Sequence, residues 1–399
     1  MMMVVGTMMS GVSEQLFREN LFVGKLVRKI EDAHVVWFEE CNQWVQFDEP
    51  KWFIFLLYQA QVPQDDAVRM FSGEFNQPYE LARAMVANIY DSLYTLTHPH
   101  FTSPNFAFPE RHAHKLTSVK VKTHHYQYLG KDFSIGYGSA YLEDYIHLPF
   151  AHMEEPSGRN GGLELEVLPL ENSVVLRLKS KGGQCLMARE AAQIKRLLFI
   201  ELACWFYDKK QEDWMSFAHA AALQKGDEVL LVSSPSGSGK STLAGLLQLH
   251  GFHFYADDFV PLDGSRLMAY PFPAALCIKK GAIALMQSLG LKTSATSSQH
   301  NIAYMKPYLE NQDNGPKEVK KMVFLYYKPG ADFSMSAVST LEALALFHQE
   351  AWVGDNYQRA EKFIDWFTGL QFYKIIYDNN AKVVQAFTKL MENSTYSEE

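Results

Sequence analysis

A short apolar run, Glu228-Val-Leu-Leu-Val-Ser233, passes directly into Ser234-Pro-Ser-Gly-Ser-Gly-Lys-Ser241, and this junction constrains the chain more than any other feature. The run has strand length and is followed by Thr242-Leu-Ala-Gly-Leu-Leu-Gln-Leu-His250, which is helical in spacing and stops at Gly251. Strand, glycine-rich loop and helix in that order let backbone N–H groups turn inward, while the helix N-terminus adds positive partial charge. Such a cradle selects phosphate. In it Ser236, Gly237, Ser238, Gly239, Lys240, Ser241 and Thr242 surround a nucleotide, with Lys240 reaching the β- and γ-phosphates and the Ser241 hydroxyl taking magnesium. The implied ligands are ATP and Mg2+. The pattern departs from G-x-x-x-x-G-K-[ST] at its first glycine, where Ser234 stands ahead of Pro235. A serine- and glycine-rich turn without a ligand is the plainer reading, and the flanking strand and helix weigh against it.

The next strand, His253-Phe-Tyr-Ala256, delivers Asp257-Asp258 at its carboxyl end. Ligands of open α/β sheets bind outside that end of the strands, so the pair should face the phosphates. Two carboxylates there divide two tasks, one holding magnesium and the other accepting the proton of an attacking hydroxyl. A turn-capping Asp-Asp is the bland alternative.

Three segments in order, Phe217-Ala-His219-Ala-Ala-Ala-Leu223, Ser236 to Ala244, and Gly251-Phe-His-Phe-Tyr-Ala-Asp-Asp258, resemble the core of the HPr serine kinase family. The resemblance spans roughly residue 115 to the C-terminus and is strongest between Ser216 and Ile283. It implies an α/β fold of the HPr kinase/phosphoenolpyruvate carboxykinase type and phosphoryl transfer from ATP to a serine hydroxyl. Carried over residue by residue, it makes His219, Lys240 and Asp257 catalytic, with Asp257 taking the hydroxyl proton. Ser241 and Asp258 become the metal ligands. Lys279 or Lys280 occupies a substrate-side position, but the Glu-rich, Arg-Gly-containing signature of HPr kinases proper is absent, so HPr as substrate and the reverse phosphorolysis are not implied. The family also implies a homo-oligomer.

Before this core lies another zone. Residues 1–15 read as a loose N-terminus, 16–97 as a small α+β domain, 98–114 as a linker and 115–399 as the ATP-binding domain. Val35-Val-Trp-Phe38 and Trp44-Val-Gln-Phe47 predict a hairpin turning at Asn42, and a helix begins near Pro50. A second helix from Tyr79 to Tyr90 places Leu81, Met85 and Ile89 on one face. This zone resembles the winged-helix-like, PqqD-type peptide-recognition domain, which implies a peptide acceptor, such as a ribosomally made precursor, bound by strand addition. His112 and His114 at the end of the linker and His124 and His125 just beyond it lie near one another in sequence. With residues 115–122 read as an alternating strand, neighbours point to opposite faces, and the expectation is ordinary histidines rather than metal ligands.

Composition closes off several classes. A net charge of -8 without a basic block excludes a general nucleic-acid binder. Cys41, Cys185, Cys204 and Cys277 are too far apart for a disulfide framework or a structural zinc site. The apolar opening lacks a basic n-region, and no apolar stretch has membrane-spanning length, so a cytoplasmic protein with no membrane partner is expected. Beside a protein or peptide kinase, two readings stay open: a small-molecule kinase of the same fold, and a nucleotide-gated binding module without transferase activity.

Overall fold

Aromatic and β-branched residues build the first strands. In the computed structural model, which describes residues 25–98, 106–155, 162–235, 237–297, 301–307, 315–347 and 351–392, the expected hairpin is β2 (Ala33–Phe38) paired antiparallel with β3 (Gln43–Phe47). Asn42 turns it with φ +52°, and its side-chain carbonyl accepts from Trp37 Nε1 at 2.8 Å. A further strand, β1 (Lys25–Ile30), pairs with β2. Asp48 then caps α1 (Glu49–Gln59) by accepting from Lys51 N at 3.0 Å, and Pro50 sits in the first turn, where no donor is needed. Residues 1–15 and 99–105 and Ser236 lie outside the described residues.

The chain divides into two compact units. The first contains β1 to β3, α1, α2 (Gln64–Glu74) and α3 (Tyr79–Thr97), and also takes residues 340–345 and 353–368 from far along the chain. Within it Arg28 bridges to Glu361 at 2.9 Å and Asp365 at 3.3 Å on the helix Tyr357–Thr368, while Trp44 lies 5.8 Å from Phe363. The buried face of α3 is Ala82, Val86 and Leu93; Met85 and Ile89 sit at its margin, and Leu81 is 57% exposed. The expected stripe is therefore displaced by one residue, about 100° of helix rotation. Small Ala82, which carries little weight in a pattern of large apolar residues, lets α3 approach Phe53 and Phe71.

The second unit, residues 106–339, 346–352 and 369–399, is mixed α/β. One sheet runs β4 (Lys122–Tyr128), β5 (Lys131–Tyr137), β6 (Leu163–Leu170), β7 (Ser173–Leu178), β8 (Gln184–Ala188). Residues 115–122 are not the expected strand: Ala113–Leu116 is a helical turn whose Leu116 packs on Leu168 and Val175, and β4 starts only at Lys122. The end of the expected linker joins this sheet too, since Phe106 O accepts from Met187 N at 2.9 Å and Ala107 bridges Leu186.

The larger sheet contains β9 (Trp214–Ala218), β10 (Ala221–Lys225), β11 (Glu228–Ser233), β12 (His253–Ala256), β13 (Val260–Asp263) and the strand Lys317–Tyr327. The strand Gln371–Tyr377 extends it, parallel to Lys317–Tyr327. Leu230, Val232, Val323, Leu325 and Ile375 form its core with Val383, Phe387 and Leu390 of the C-terminal helix Asn380–Glu392. Among the described residues no helix is long and apolar enough to cross a membrane.

The observed face of α3 makes a direct prediction. Leu93→Ala should lose about 2–5 kcal/mol in urea unfolding, whereas Leu81→Ala should stay within about 0.5 kcal/mol of the parent. Equal losses would reject the assigned face.

Candidate active site

The site is assembled by register. Strand β10 pairs antiparallel with β11 on one side, Ala221 opposite Val232, and with β12 on the other, Ala222 opposite Ala256. The carboxyl ends of β11 and β12 and the start of β10 therefore meet at one edge of the sheet. From that edge emerge the loop after Ser233, the pair Asp257-Asp258, and His219. They line, or lie directly behind, a cleft of about 440 Å³ whose wall includes Lys240, Ser241, Thr242, Asp258, Tyr327 and Tyr377.

The loop geometry depends on two glycines. Gly237 and Gly239 both have φ +89°, the left-handed region that other residues adopt only under strain. At Gly239 a Cβ would also stand 2.7 Å from the Tyr377 hydroxyl. Tyr327 N donates to Ser238 O at 3.2 Å, which ties the loop to the neighbouring strand. Helix α6 (Lys240–Gln248) then starts, with Lys240 buried and its ammonium directed into the site.

Charge is concentrated at the carboxylates. Lys240 Nζ lies 2.8 Å from Asp258 Oδ1 without the alignment of a hydrogen bond, so Coulomb attraction holds the pair. His219 Nε2 is 3.2 Å from the same oxygen. Burial opposes ionisation of Asp258, but Lys240 and His219 outweigh it and hold the carboxyl well below its usual range. Asp257 is the opposite case. It is 2% exposed, and burial together with the neighbouring Asp258 charge pushes it up to about 7, against the opposing pull of Lys240, the Ser241 hydroxyl and the Cys277 N–H at 3.3 Å. Asp258 itself has φ +63°, a conformation Asp tolerates better than most residues, and it turns its carboxylate out of the strand into the cleft.

Among the described residues, the buried Ser234 Oγ and Asp257 Oδ1 have no hydrogen-bond partner, and Lys240 Nζ has only its ion pair with Asp258. A hydroxyl, an ammonium and a carboxyl oxygen around one loop are the groups that a phosphate and its counter-ion would engage, so the residues present fit a phosphate group with a divalent cation.

No family model matches the chain, and no curated protein matches it. Among solved structures, the HPr(Ser) kinase/phosphatase from Coxiella burnetii aligns at 13% identity over 44% of this chain and 90% of that one, with a TM-score of 0.24. The chemistry of the site rests on its own residues.

Of the two candidate substrate-side lysines, Lys279 lines the cleft and Lys280 does not. Ser236 lies outside the described residues. Lys195 on the helix α5 (Ala191–Phe206) carried no sequence signal. Its ammonium sits 5.0 Å from the Tyr145 ring and 5.4 Å from that of Phe199, desolvation lowers its pKa, and its charge acts on Asp258, Cys277 and Asp257. Only folding brings it within range of the acid pair.

Because the folded-state pKa of Asp257 is raised, its contribution to stability is fully present below the unfolded value of 3.8 and is lost as pH rises through about 7. In thermal melts with EDTA, Asp257→Asn should gain stability relative to the parent at pH 8 more than at pH 5. A pH-independent difference would refute the raised pKa.

Proposed function

We propose that the chain is an ATP- and magnesium-dependent kinase that transfers the γ-phosphoryl group to a serine hydroxyl of a protein or peptide acceptor. The observation carrying this reading is the pair of buried atoms around the loop that lack hydrogen-bond partners among the described residues, Ser234 Oγ and Asp257 Oδ1, beside the buried Lys240 ammonium. Burying such groups without partners costs about 1–3 kcal/mol each, and a bound phosphate with its cation removes that cost. The glycines at φ +89° leave the loop backbone free to approach the phosphate oxygens.

In this reading Lys240 holds the β- and γ-phosphates. Magnesium, when bound, supplies positive charge against the phosphate oxygens, and Ser241 with Asp257 is the pair placed to hold it. The sequence assigned the metal to Asp258 and the proton to Asp257; the positions favour the reverse. Asp257 is buried near the Ser241 hydroxyl, which acts on its ionisation, whereas Asp258 faces the cleft beside His219. As Lys240 turns from Asp258 to the phosphates, the pull that depresses that carboxyl weakens; a hydroxyl oxygen entering from the cleft then forms its bond to phosphorus as the bond to ADP breaks, and its proton passes to Asp258. His219 positions that carboxylate.

The acceptor class rests on the resemblances of the two sequence zones and on the presence of a separate first unit. Deleting the N-terminal zone would strip Arg28 and Trp44 from the helix Tyr357–Thr368, so truncation would damage folding as well as recognition. Labelled γ-phosphate should instead be followed into the proteins, peptides and small hydroxyl compounds of the source cell. Phosphoserine in the macromolecular fraction supports the proposal, and label confined to small molecules would replace it with the small-molecule reading.

Two further outcomes test the site. Lys240→Ala should weaken Mg-ATP binding at least about tenfold by calorimetry, given that charge-assisted hydrogen bonds contribute about 1.5–3 kcal/mol; unchanged affinity would remove the loop from nucleotide binding. Asp258→Asn should lower kcat by about 10²–10⁴ with unaltered magnesium dependence, the usual range for loss of a general base. Asp257→Asn should chiefly raise the magnesium concentration needed for half-maximal rate. The opposite pattern would restore the roles read from the sequence, and wild-type rates in both would place the chemistry elsewhere.

A further inference from the structure

A second cluster of ligand-type side chains lies in the five-stranded sheet. His124 comes from β4, His147 follows the helix α4 (Ala140–Ile146), and Glu154 ends the turn Leu148–Met153. Both imidazoles are buried, and one donor atom from each of the three side chains lies within 4.8 Å of the others.

We propose that His124, His147 and Glu154 form a binding site for one borderline divalent cation of the zinc type. The geometry is specific because each imidazole is held from behind through one nitrogen and presents the other to the same carboxylate. His124 Nε2 is 2.9 Å from Glu143 Oε1, and its Nδ1 is 2.6 Å from Glu154 Oε1. His147 Nδ1 is 2.8 Å from the Tyr126 hydroxyl, and its Nε2 lies 3.8 Å from Glu154 Oε2. A carboxylate or hydroxyl on the far nitrogen of each imidazole is the arrangement that fixes tautomer and ring orientation in metal sites. Two imidazole nitrogens and one carboxylate are a donor set for zinc and its neighbours rather than for magnesium.

The backbone supports the same three positions. Tyr126 forms a β-bridge with Glu154, and Glu155 N donates to His125 O at 2.9 Å, so the segment carrying Glu154 is tied to the strand carrying His124. The Tyr126 hydroxyl is itself 3.0 Å from that of Tyr137, which fixes the support of His147. Two carboxylates, Glu143 and Glu154, face one ammonium, Lys122, at 2.7 Å from Glu143. That imbalance leaves negative charge beside the imidazoles, which a bound cation would offset. Zinc bonds of about 2.0–2.2 Å require His124 Nδ1 and Glu154 Oε1 to part to about 3 Å. Glu154, with 40% of its side chain exposed, has room for that movement, and the exposed side leaves a coordination position for water.

The test uses the full chain, stripped with EDTA and held in excess magnesium, which prefers oxygen ligands and competes for the acid pair of the cleft. Zinc is titrated by calorimetry, and retained metal is counted after dialysis. The expected result is one zinc site in the parent that is absent in the double variant His124→Gln/His147→Gln and at least tenfold weaker in Glu154→Gln. Tyr126→Phe, which touches no cation, should weaken zinc about 10–100-fold through the lost support of His147. Equal zinc uptake by the parent and the double variant, or no uptake by the parent, would overturn the site and leave a hydrogen-bonded structural cluster of His124 with Glu143 and Glu154. If the histidine variants fail to fold, the half-exposed Glu154→Gln decides: unchanged affinity in that variant also overturns the proposal.

Discussion

Strand β10 is the element on which the candidate site depends. Its two antiparallel ladders, to β11 through Ala221 and Val232 and to β12 through Ala222 and Ala256, bring two strand ends and one strand start to a common edge. A slip of one residue in either ladder would turn the exit of its strand to the opposite face of the sheet. Asp257, Asp258, His219 and Lys240 are close together because those registers are fixed, and the registers are fixed because Leu223, Leu230, Val232 and Phe254 bury on one face of the sheet and Ala222, Val229 and Leu231 on the other.

Crowding of charge at that edge opposes folding. Burial works against ionisation of both aspartates: with the Asp258 charge beside it, Asp257 is pushed toward its neutral form, whereas Lys240 and His219 outweigh burial at Asp258 and keep it ionised. Like charges so close do not both ionise readily in a desolvated site, so the pair divides into two kinds of group. Orphaned Ser234 and Asp257 atoms add to the cost. Under the proposed function, a bound phosphate with its cation would supply the partners that these atoms lack.

The His124, His147 and Glu154 cluster follows different logic. Its polar groups are nearly all satisfied, and its position is fixed by neighbours on β4 and by Tyr126 rather than by a loop. In the first unit, ion pairs from Arg28 to Glu361 and Asp365 join parts of the chain more than three hundred residues apart, so that unit is assembled from segments distant in sequence.

Local pattern made much of this legible. The strand into the loop, the helix after it, the hairpin at Asn42, the proline-led helix α1 and the C-terminal helix with Val383, Val384, Phe387 and Leu390 are set by periodicity, capping and turn chemistry within a few residues. The strand misread at residues 115–122 and the stripe on α3 show the limit, because Leu116 and Ala82 take their places from partners elsewhere in the chain. The sequence by itself determined that a glycine-rich loop, a lysine and two aspartates follow strands in the order a phosphate site needs. Tertiary structure alone decided that Asp257 is buried against Ser241 while Asp258 faces the cleft, that Lys195 stands near both, and that His124 meets His147 and Glu154. Burial, desolvation and the approach of side chains distant in sequence are properties of packing, and no local pattern encodes them.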